Sequence, residues 1–355
     1  MNKYWSPSLA QILHPYTAGE QPQDDSFIKL NTNESPWPPS PLVIKRLKAA
    51  AKDGLQRYPD PDSQALREKL ATYYGFSADN IFIGNGSDEV LAHTFKAFFQ
   101  QELPIYFPDV SYNFYPVFCE HFAIEYRQVP VTAELQISLQ DYPADNGGII
   151  FANPNAPTGH HLGNSEIEQL LKNNTGSLVV IDEAYTDFAN ESAIDLCKCY
   201  DNLLIIRTLS KSRCLAGIRA GFAVGDSNLI NALQRVKDSF NAYPLDSLAM
   251  TAAIAAYEDE KYFRKCCNKI IQLREWTGTQ LQQLGFTVSP SQTNFLLVQP
   301  PKLDAHTYYQ ALKQRNILIR HFDNERISDY VRISIGSKAQ MQALLKASKA
   351  ILEEG

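Results

Sequence analysis

Four polar clusters in this chain carry residue types that could do chemistry together, and each stands directly behind a short apolar run. Asp182 follows residues 178–181 in VVIDEAY, and Ser210-Lys211 follows 203–206 in IIRTLSK. NPNAPTG at 153–159 follows 149–151, and GNGSDE at 84–89 follows 81–83 and opens a helical stretch. A carboxylate at a strand end can hold a heterocyclic nitrogen in its protonated form. A lysine in a partly desolvated cleft has a lowered pKa and can attack an aldehyde. A glycine-rich turn at a helix N-terminus presents free N–H groups to a phosphate, and a serine and an arginine near the lysine can complete the cup. A phosphate, an aldehyde and a protonated ring in one ligand describe pyridoxal 5'-phosphate. Taken singly, each cluster has a plain alternative as a helix cap, a surface lysine or a simple turn; order and placement give them weight.

To act together the clusters must share one rim, and the surrounding pattern supplies it. Short apolar runs at 81–83, 105–107, 149–151, 178–181, 203–206 and 222–224 alternate with helical stretches near 89–99, 165–172 and 227–239. Strands alternating with helices predict an α/β fold, a mostly parallel sheet with helices on both faces, which binds ligands at the carboxyl ends of its strands. Apolar periodicity predicts helices over 41–52 and 63–74, the latter ended by Gly75. After about residue 248 the texture changes. One long helical stretch over 252–284 is followed by strands at 295–298, 317–319 and 331–335 and helices at 305–314 and 338–352, a smaller α+β domain. The expected division is an arm at 1–40 packing with the small domain, a large domain at 41–247 and a small one at 248–355.

Composition agrees. At 355 residues the chain exceeds what one core holds. Hydrophobic residues make up 44% and charged residues 20%, ordinary for a globular enzyme. A net charge of -6 without a basic run argues against a nucleic-acid surface. No apolar stretch nears the roughly 20 residues that span a bilayer, and the first residues lack a signal-peptide core, so the expectation is a cytoplasmic protein with no membrane contact. The six cysteines include Cys197-x-Cys199 and adjacent Cys266 and Cys267, with Cys119 and Cys214 alone, which is not a zinc spacing; reduced thiols and no metal are expected.

The motifs, in order, are HPY at 14–16, LNTNESP at 30–36, RYPDP at 57–61, GNGSDEVL at 84–91 and NPNAPTG at 153–159. They continue with DEAYTDF at 182–188, TLSKSRCLAGIRAG at 208–221, SQTNFLLV at 291–298 and VRISIG at 331–336. On these the chain resembles the fold-type I pyridoxal-phosphate-dependent aminotransferases, and among them the histidinol-phosphate aminotransferase family. The resemblance implies that Lys211 binds the cofactor as a Schiff base and, once freed, moves the substrate proton. It implies that Asp182 pairs with the ring nitrogen, Tyr185 hydrogen-bonds the ring hydroxyl oxygen and Tyr112 stacks on the ring face. Ser210, Arg219 and the backbone of Gly86 and Ser87 would hold the phosphate. Tyr58 would reach the phosphate of a neighbouring subunit, which implies a homodimer with shared sites. Arg332 would grip a substrate carboxylate or phosphate with help from Arg320, and Tyr16 and Asn33 on the arm would close over the substrate.

The implied reaction is amino transfer between L-histidinol phosphate and 2-oxoglutarate in histidine biosynthesis. Aromatic amino-acid transamination uses the same machinery, and threonine-phosphate decarboxylation uses the same fold. A pyridoxal-phosphate regulator is excluded, since its helix-turn-helix domain has no room before Tyr16. Three departures stand out. Ala156 occupies the slot whose family asparagine donates to the ring oxygen, and alanine has no donor; either Asn155 or a water takes over, or Tyr185 acts alone, and Asn155 is expected to line the site. Arg213-Cys214 replaces the usual small residue, Phe and Gly behind the lysine, and Arg213 is expected at the substrate entrance or in solvent. Residues 241–245, NAYPL, are expected to line the substrate pocket.

Overall fold

The computed structural model describes residues 3–6, 9, 15–16, 19–22 and 26–354. His14 of the His-Pro-Tyr motif lies outside the described residues. The strands are β1 (Ile28–Lys29), β2 (Ile81–Gly84), β3 (Ile105–Pro108), β4 (Tyr126–Val129), β5 (Ile149–Ala152), β6 (Val179–Asp182), β7 (Leu203–Thr208), β8 (Gly221–Gly225), β9 (Thr287–Val288), β10 (Phe295–Gln299), β11 (Ile317–Leu318), β12 (Arg320–His321) and β13 (Val331–Ser334). The helices are α1 (Pro41–Ala50), α2 (Gln64–Tyr74), α3 (Gly86–Phe98), α4 (Phe114–Phe122), α5 (Asn164–Asn173), α6 (Ser227–Asp238), α7 (Ser247–Glu258), α8 (Glu260–Gln283), α9 (Ala305–Gln314) and α10 (Lys338–Glu354).

A seven-stranded sheet runs in the order β2-β8-β7-β6-β5-β3-β4. Strand β8 runs antiparallel to both of its neighbours, β2 and β7, and the other neighbouring pairs are parallel. Strands β2, β5, β6 and β7 are buried along their whole length, as strands covered by helices on both faces must be, which explains their unbroken apolar runs. This sheet with its helices, joined by a smaller unit, is the α/β architecture expected from the sequence. In the smaller unit, antiparallel strands β12-β13-β10-β9 are covered by α8, α9 and α10, with Phe295, Val331, Ile333, Tyr308 and Leu344 in one apolar core. The arm joins this unit through β1, which pairs in parallel with β11.

Several elements differ from the sequence expectation. The long stretch over 252–284 is two helices. Asp259 leaves helical geometry at φ -102, ψ 62, and its side chain caps α8 by accepting from the Tyr262 N–H, a typical N-cap role. Helix α7, assigned from sequence to the smaller domain, packs instead in a common core with Val43 of α1, Leu66 and Leu70 of α2 and Phe222 of β8. Helix α4 and strand β4 escaped the sequence pattern altogether. FYPVFCEHF is apolar nearly all round, so no 3.6-residue contrast shows, and YRQV is an edge strand exposing Arg127 and Gln128.

Candidate active site

The carboxyl ends of β5, β6 and β7 and the turn from β2 into α3 open on one cavity of about 370 Å³, within the range of small-molecule sites. Asp182, the last residue of β6, points into it from a buried position. Its Oδ1 accepts the Ala184 N–H at 3.0 Å, and the Tyr115 hydroxyl reaches Oδ2 only at 3.5 Å. Burial pushes the Asp182 carboxyl up to about 7, the Ala184 hydrogen bond opposes this, and the charges of Asp88 and Lys211 act in opposite directions. A buried carboxylate so weakly supplied with donors is completed by a cationic N–H.

Lys211 lies beyond the end of β7 and lines the same cavity. Its Nζ donates to the Thr32 carbonyl of the arm at 3.2 Å and stands 5.8 Å from the Tyr185 ring centre. The residues behind it are pinned separately. Ser212 Oγ donates to Asp187, which also holds Arg207 at 2.7 Å, and Cys214 faces Ser35 of the arm at 3.0 Å. The lysine is thus presented by a strap anchored on both sides.

The opposite end of the cavity suits an anion. Helix α3 starts at Gly86 without a side-chain cap, and Ser87 and Asp88 of its first turn line the cavity, so its leading N–H groups face the space. Ser210 Oγ accepts from Thr208 Oγ1 at 3.0 Å and keeps its own hydrogen. Arg219 lies against Gly86. At φ +81 a side chain there is strained, and a Cβ would sit 2.6 Å from Arg219 Nη2, so the position requires glycine. These features fit the phosphate, ring nitrogen and aldehyde of pyridoxal 5'-phosphate.

The remaining expected residues divide. Tyr112 lines the cavity with its hydroxyl donating to Asp88 at 2.8 Å, and Arg219 meets the other Asp88 oxygen at 3.1 Å. Tyr16 lines it too, stacked on Phe114 at 4.4 Å. Arg332 and Arg320 stand on the smaller unit's side of the opening. Among the described residues neither has an acidic partner. Arg332 donates to the Asn31 carbonyl at 3.0 Å and leaves its Nε unpaired, and burial lowers its pKa. Tyr58 is outside this cavity, 82% exposed and stacked on Tyr243 at 4.7 Å.

Three expectations are corrected. Asn155 does not line the cavity. Its amide closes the local turn, donating to the Val110 carbonyl at 2.9 Å and Thr158 at 3.1 Å and accepting from Ser111 at 3.0 Å, while Ala156 turns inward. Asn33 lines the cavity, with its amide engaged with Tyr185 and Ser334. Arg213 faces neither the entrance nor solvent. It is buried at the α7–α8 junction against Phe263 and Tyr257, 3.5 and 4.0 Å from their ring centres, and bonds the Ala256 carbonyl and Tyr73 hydroxyl. Residues 241–245 do not line the cavity either; Leu245 is core, and the Pro244 carbonyl accepts from Asn85. Sequence reasoning missed Asp88, Thr32 and Tyr115. Asp88 sat in a motif read only for its glycines and serine, and a backbone carbonyl such as that of Thr32 leaves no sequence signal.

The model of the family described as aminotransferase class I and II matches residues 25–347. The chain is 50% identical to histidinol-phosphate aminotransferase 1 of Pseudomonas fluorescens over 345 residues, 97% of this chain and 98% of that one. It is 46% identical to histidinol-phosphate aminotransferase of Clostridium botulinum over 354 residues, all of both chains. The crystal structure of histidinol-phosphate aminotransferase from Sinorhizobium meliloti in complex with pyridoxal-5'-phosphate superposes with a TM-score of 0.89 at 25% identity, covering 99% of this chain and 98% of that one.

Proposed function

Since the chain belongs to the histidinol-phosphate aminotransferases of the class I and II aminotransferase family, we propose that it exchanges an amino group between L-histidinol phosphate and 2-oxoglutarate. The products are imidazole acetol phosphate and L-glutamate, and the step belongs to histidine biosynthesis. The observation that carries this reading is one cavity with Asp182 and Lys211 at its floor, an uncapped helix end beside Arg219, and two arginines without acidic partners at its mouth.

Asp182 would keep the ring nitrogen protonated; Ser210, Arg219 and the first turn of α3, with Gly86 and Ser87, would hold the phosphate; Tyr112 would cover the ring face and Tyr185 would donate to the ring oxygen. When bound, pyridoxal phosphate supplies an aldehyde that takes up amines and a ring that accepts electrons. Lys211 Nζ would serve as the base that accepts the proton from the substrate carbon that bears nitrogen, and as the acid that gives it back. Its contact with the Thr32 carbonyl keeps that nitrogen over the cavity when it is not bonded to the cofactor. Arg332 and Arg320 would bind the phosphate of histidinol phosphate in one half-reaction and a carboxylate of the oxo acid in the other. Tyr16 would narrow the mouth and exclude water. Tyr58, exposed here, would complete the phosphate cup of a second copy in a homodimer. Free cysteines fit a cytoplasmic location, and among the described residues no helix is long and apolar enough to cross a membrane.

Steady-state assays with 2-oxoglutarate test the substrate choice. A higher kcat/KM for histidinol phosphate than for phenylalanine or tyrosine is expected. The reverse order would transfer the reading to aromatic amino acids, and carbon dioxide released from threonine phosphate would transfer it to decarboxylation.

A further inference from the structure

Three consecutive arm residues each touch a different part of the proposed machinery. The Asn31 carbonyl accepts from Arg332 at 3.0 Å, the Thr32 carbonyl from Lys211 at 3.2 Å, and Asn33 Nδ2 donates to the Tyr185 hydroxyl at 2.9 Å. The third contact can be read to the level of hydrogens. The Asn33 N–H donates to Ser334 Oγ at 2.9 Å, and the Ser334 hydroxyl donates to Asn33 Oδ1 at 2.8 Å. The buried Ser334 hydroxyl has no other acceptor among the described residues, so its hydrogen goes to Asn33 Oδ1 and the amide nitrogen faces Tyr185. An amide nitrogen only donates. The Tyr185 oxygen is therefore the acceptor from Asn33, and its own hydrogen is free, with no acceptor for it among the described residues.

Tyr185 lines the cavity, held edge-on to Phe295 at 5.2 Å. Ala156, which also lines it, has no donor, and the amide of Asn155 is engaged elsewhere. Asn33 itself is 1% exposed, with its carbonyl held by Asn294 at 2.9 Å. Ser334 and Arg332 lie two apart on β13, hence on one face of that strand. The strand that carries the proposed substrate arginine also locks the amide that orients Tyr185.

We propose that Asn33 is a positioning residue that turns the Tyr185 O–H toward the ring oxygen of the bound cofactor, in place of the side-chain donor missing at Ala156. Through that bond it sets the proton affinity of the nitrogen joining Lys211 to the cofactor. This rests on the roles proposed above for Lys211 and Tyr185. A donor at the ring oxygen favours the form with most negative charge there, the one whose nitrogen is deprotonated. Weakening the donor makes the nitrogen keep its proton to higher pH.

The test is a pH titration of the visible absorbance of the holoenzyme in native protein, Asn33→Gly, Asn33→Asp and Asn33→Gly combined with Ala156→Asn. Glycine suits the left-handed backbone at φ 57. Loss of one polarising hydrogen bond should raise the Asn33→Gly midpoint by about half a unit to one unit. Asn33→Asp should raise it further, because a carboxylate captures the phenol hydrogen and adds negative charge. Ala156→Asn should bring the midpoint back down by restoring a donor. Variants that melt and bind cofactor like the native protein yet titrate at the native midpoint would overturn the proposal. Should the Asn33 variants lose the cofactor, Ser334→Ala, which frees the amide to flip, must shift the midpoint in the same direction or the proposal falls. A native protein without a visible band, or a band in Lys211→Ala that titrates with pH as the native one does, would instead remove the Lys211 assignment on which it rests.

Discussion

At the scale of single residues, Asp182 carries a pH dependence whose sign is fixed by its burial. Its carboxyl is raised to about 7 in the folded cofactor-free chain, against roughly 4 for an unfolded aspartate. Between these values the folded state binds the extra proton, so the contribution of Asp182 to stability falls as pH rises from about 4 to 7. The cofactor-free Asp182→Asn variant is expected to melt higher than the native apoprotein above pH 7 and to lose that advantage toward pH 4. The same substitution should weaken cofactor binding at neutral pH, since a neutral amide cannot hold the ring proton. Melting curves and cofactor titrations across pH check both. Lys211→Ala should abolish turnover while cofactor still binds noncovalently, as dialysis and absorbance would show. Lys211 and Asp182 were legible in the sequence because both follow apolar runs directly and one chemistry explains them together. Asn155 was not read correctly, because whether a side chain in a tight turn faces the ligand or closes the turn depends on neighbours such as Val110 and Ser111, distant in sequence.

At the scale of elements, the N-terminus of α3 depends on Gly86. Gly86→Ala places a methyl against Arg219 in a backbone conformation that disfavours alanine. Cofactor affinity should fall about tenfold or more, since displacing one charge-assisted phosphate contact costs about 1.5–3 kcal/mol. Equilibrium titration of apoprotein with pyridoxal phosphate measures this. The α7–α8 junction makes a contrasting prediction. Arg213 lies among three aromatic rings with Glu260 at 3.5 Å. Arg213→Met should cost about 2 kcal/mol in urea unfolding through lost hydrogen bonds and ion pairing and leave cofactor affinity nearly unchanged. The buried parallel strands and amphipathic helices were readable because periodicity reports which faces are covered. The break at Asp259 was not, because the Ala-rich α7 and the longer α8 continue one apolar rhythm across a single capping residue. Arg213 was misplaced for a related reason: a charged residue beside the proposed catalytic lysine looks exposed until Tyr73, Tyr257 and Phe263, from three helices, are seen to enclose it.

At the scale of the whole molecule, the site is assembled from every part of the chain. The large sheet supplies Asp182 and Lys211, the smaller unit Arg332 and Arg320, and the arm spans them through residues 31–33. The proposed dimer adds a second copy's Tyr58. Mixing inactive Lys211→Ala and Tyr58→Ala chains should then restore about a quarter of native activity, because statistical pairing yields one-half hybrid dimers with one intact site of two. No recovery, with hybrid dimers demonstrated by sedimentation, would mean the sites are not shared. That the arm packs with the smaller unit and that distant clusters meet at one rim was expected from the sequence in outline; which arm atom touches which partner was not, since two of those contacts run through the backbone carbonyls of Asn31 and Thr32. The central claim joins Lys211, the cofactor and one amino donor, and a single-turnover absorbance measurement tests it most directly. Holoenzyme mixed with histidinol phosphate, without any oxo acid, should lose its visible band with one equivalent of donor and regain it on adding 2-oxoglutarate, while Lys211→Ala should not complete this cycle. A band untouched by histidinol phosphate but bleached by phenylalanine, or a full cycle in Lys211→Ala, would contradict the account.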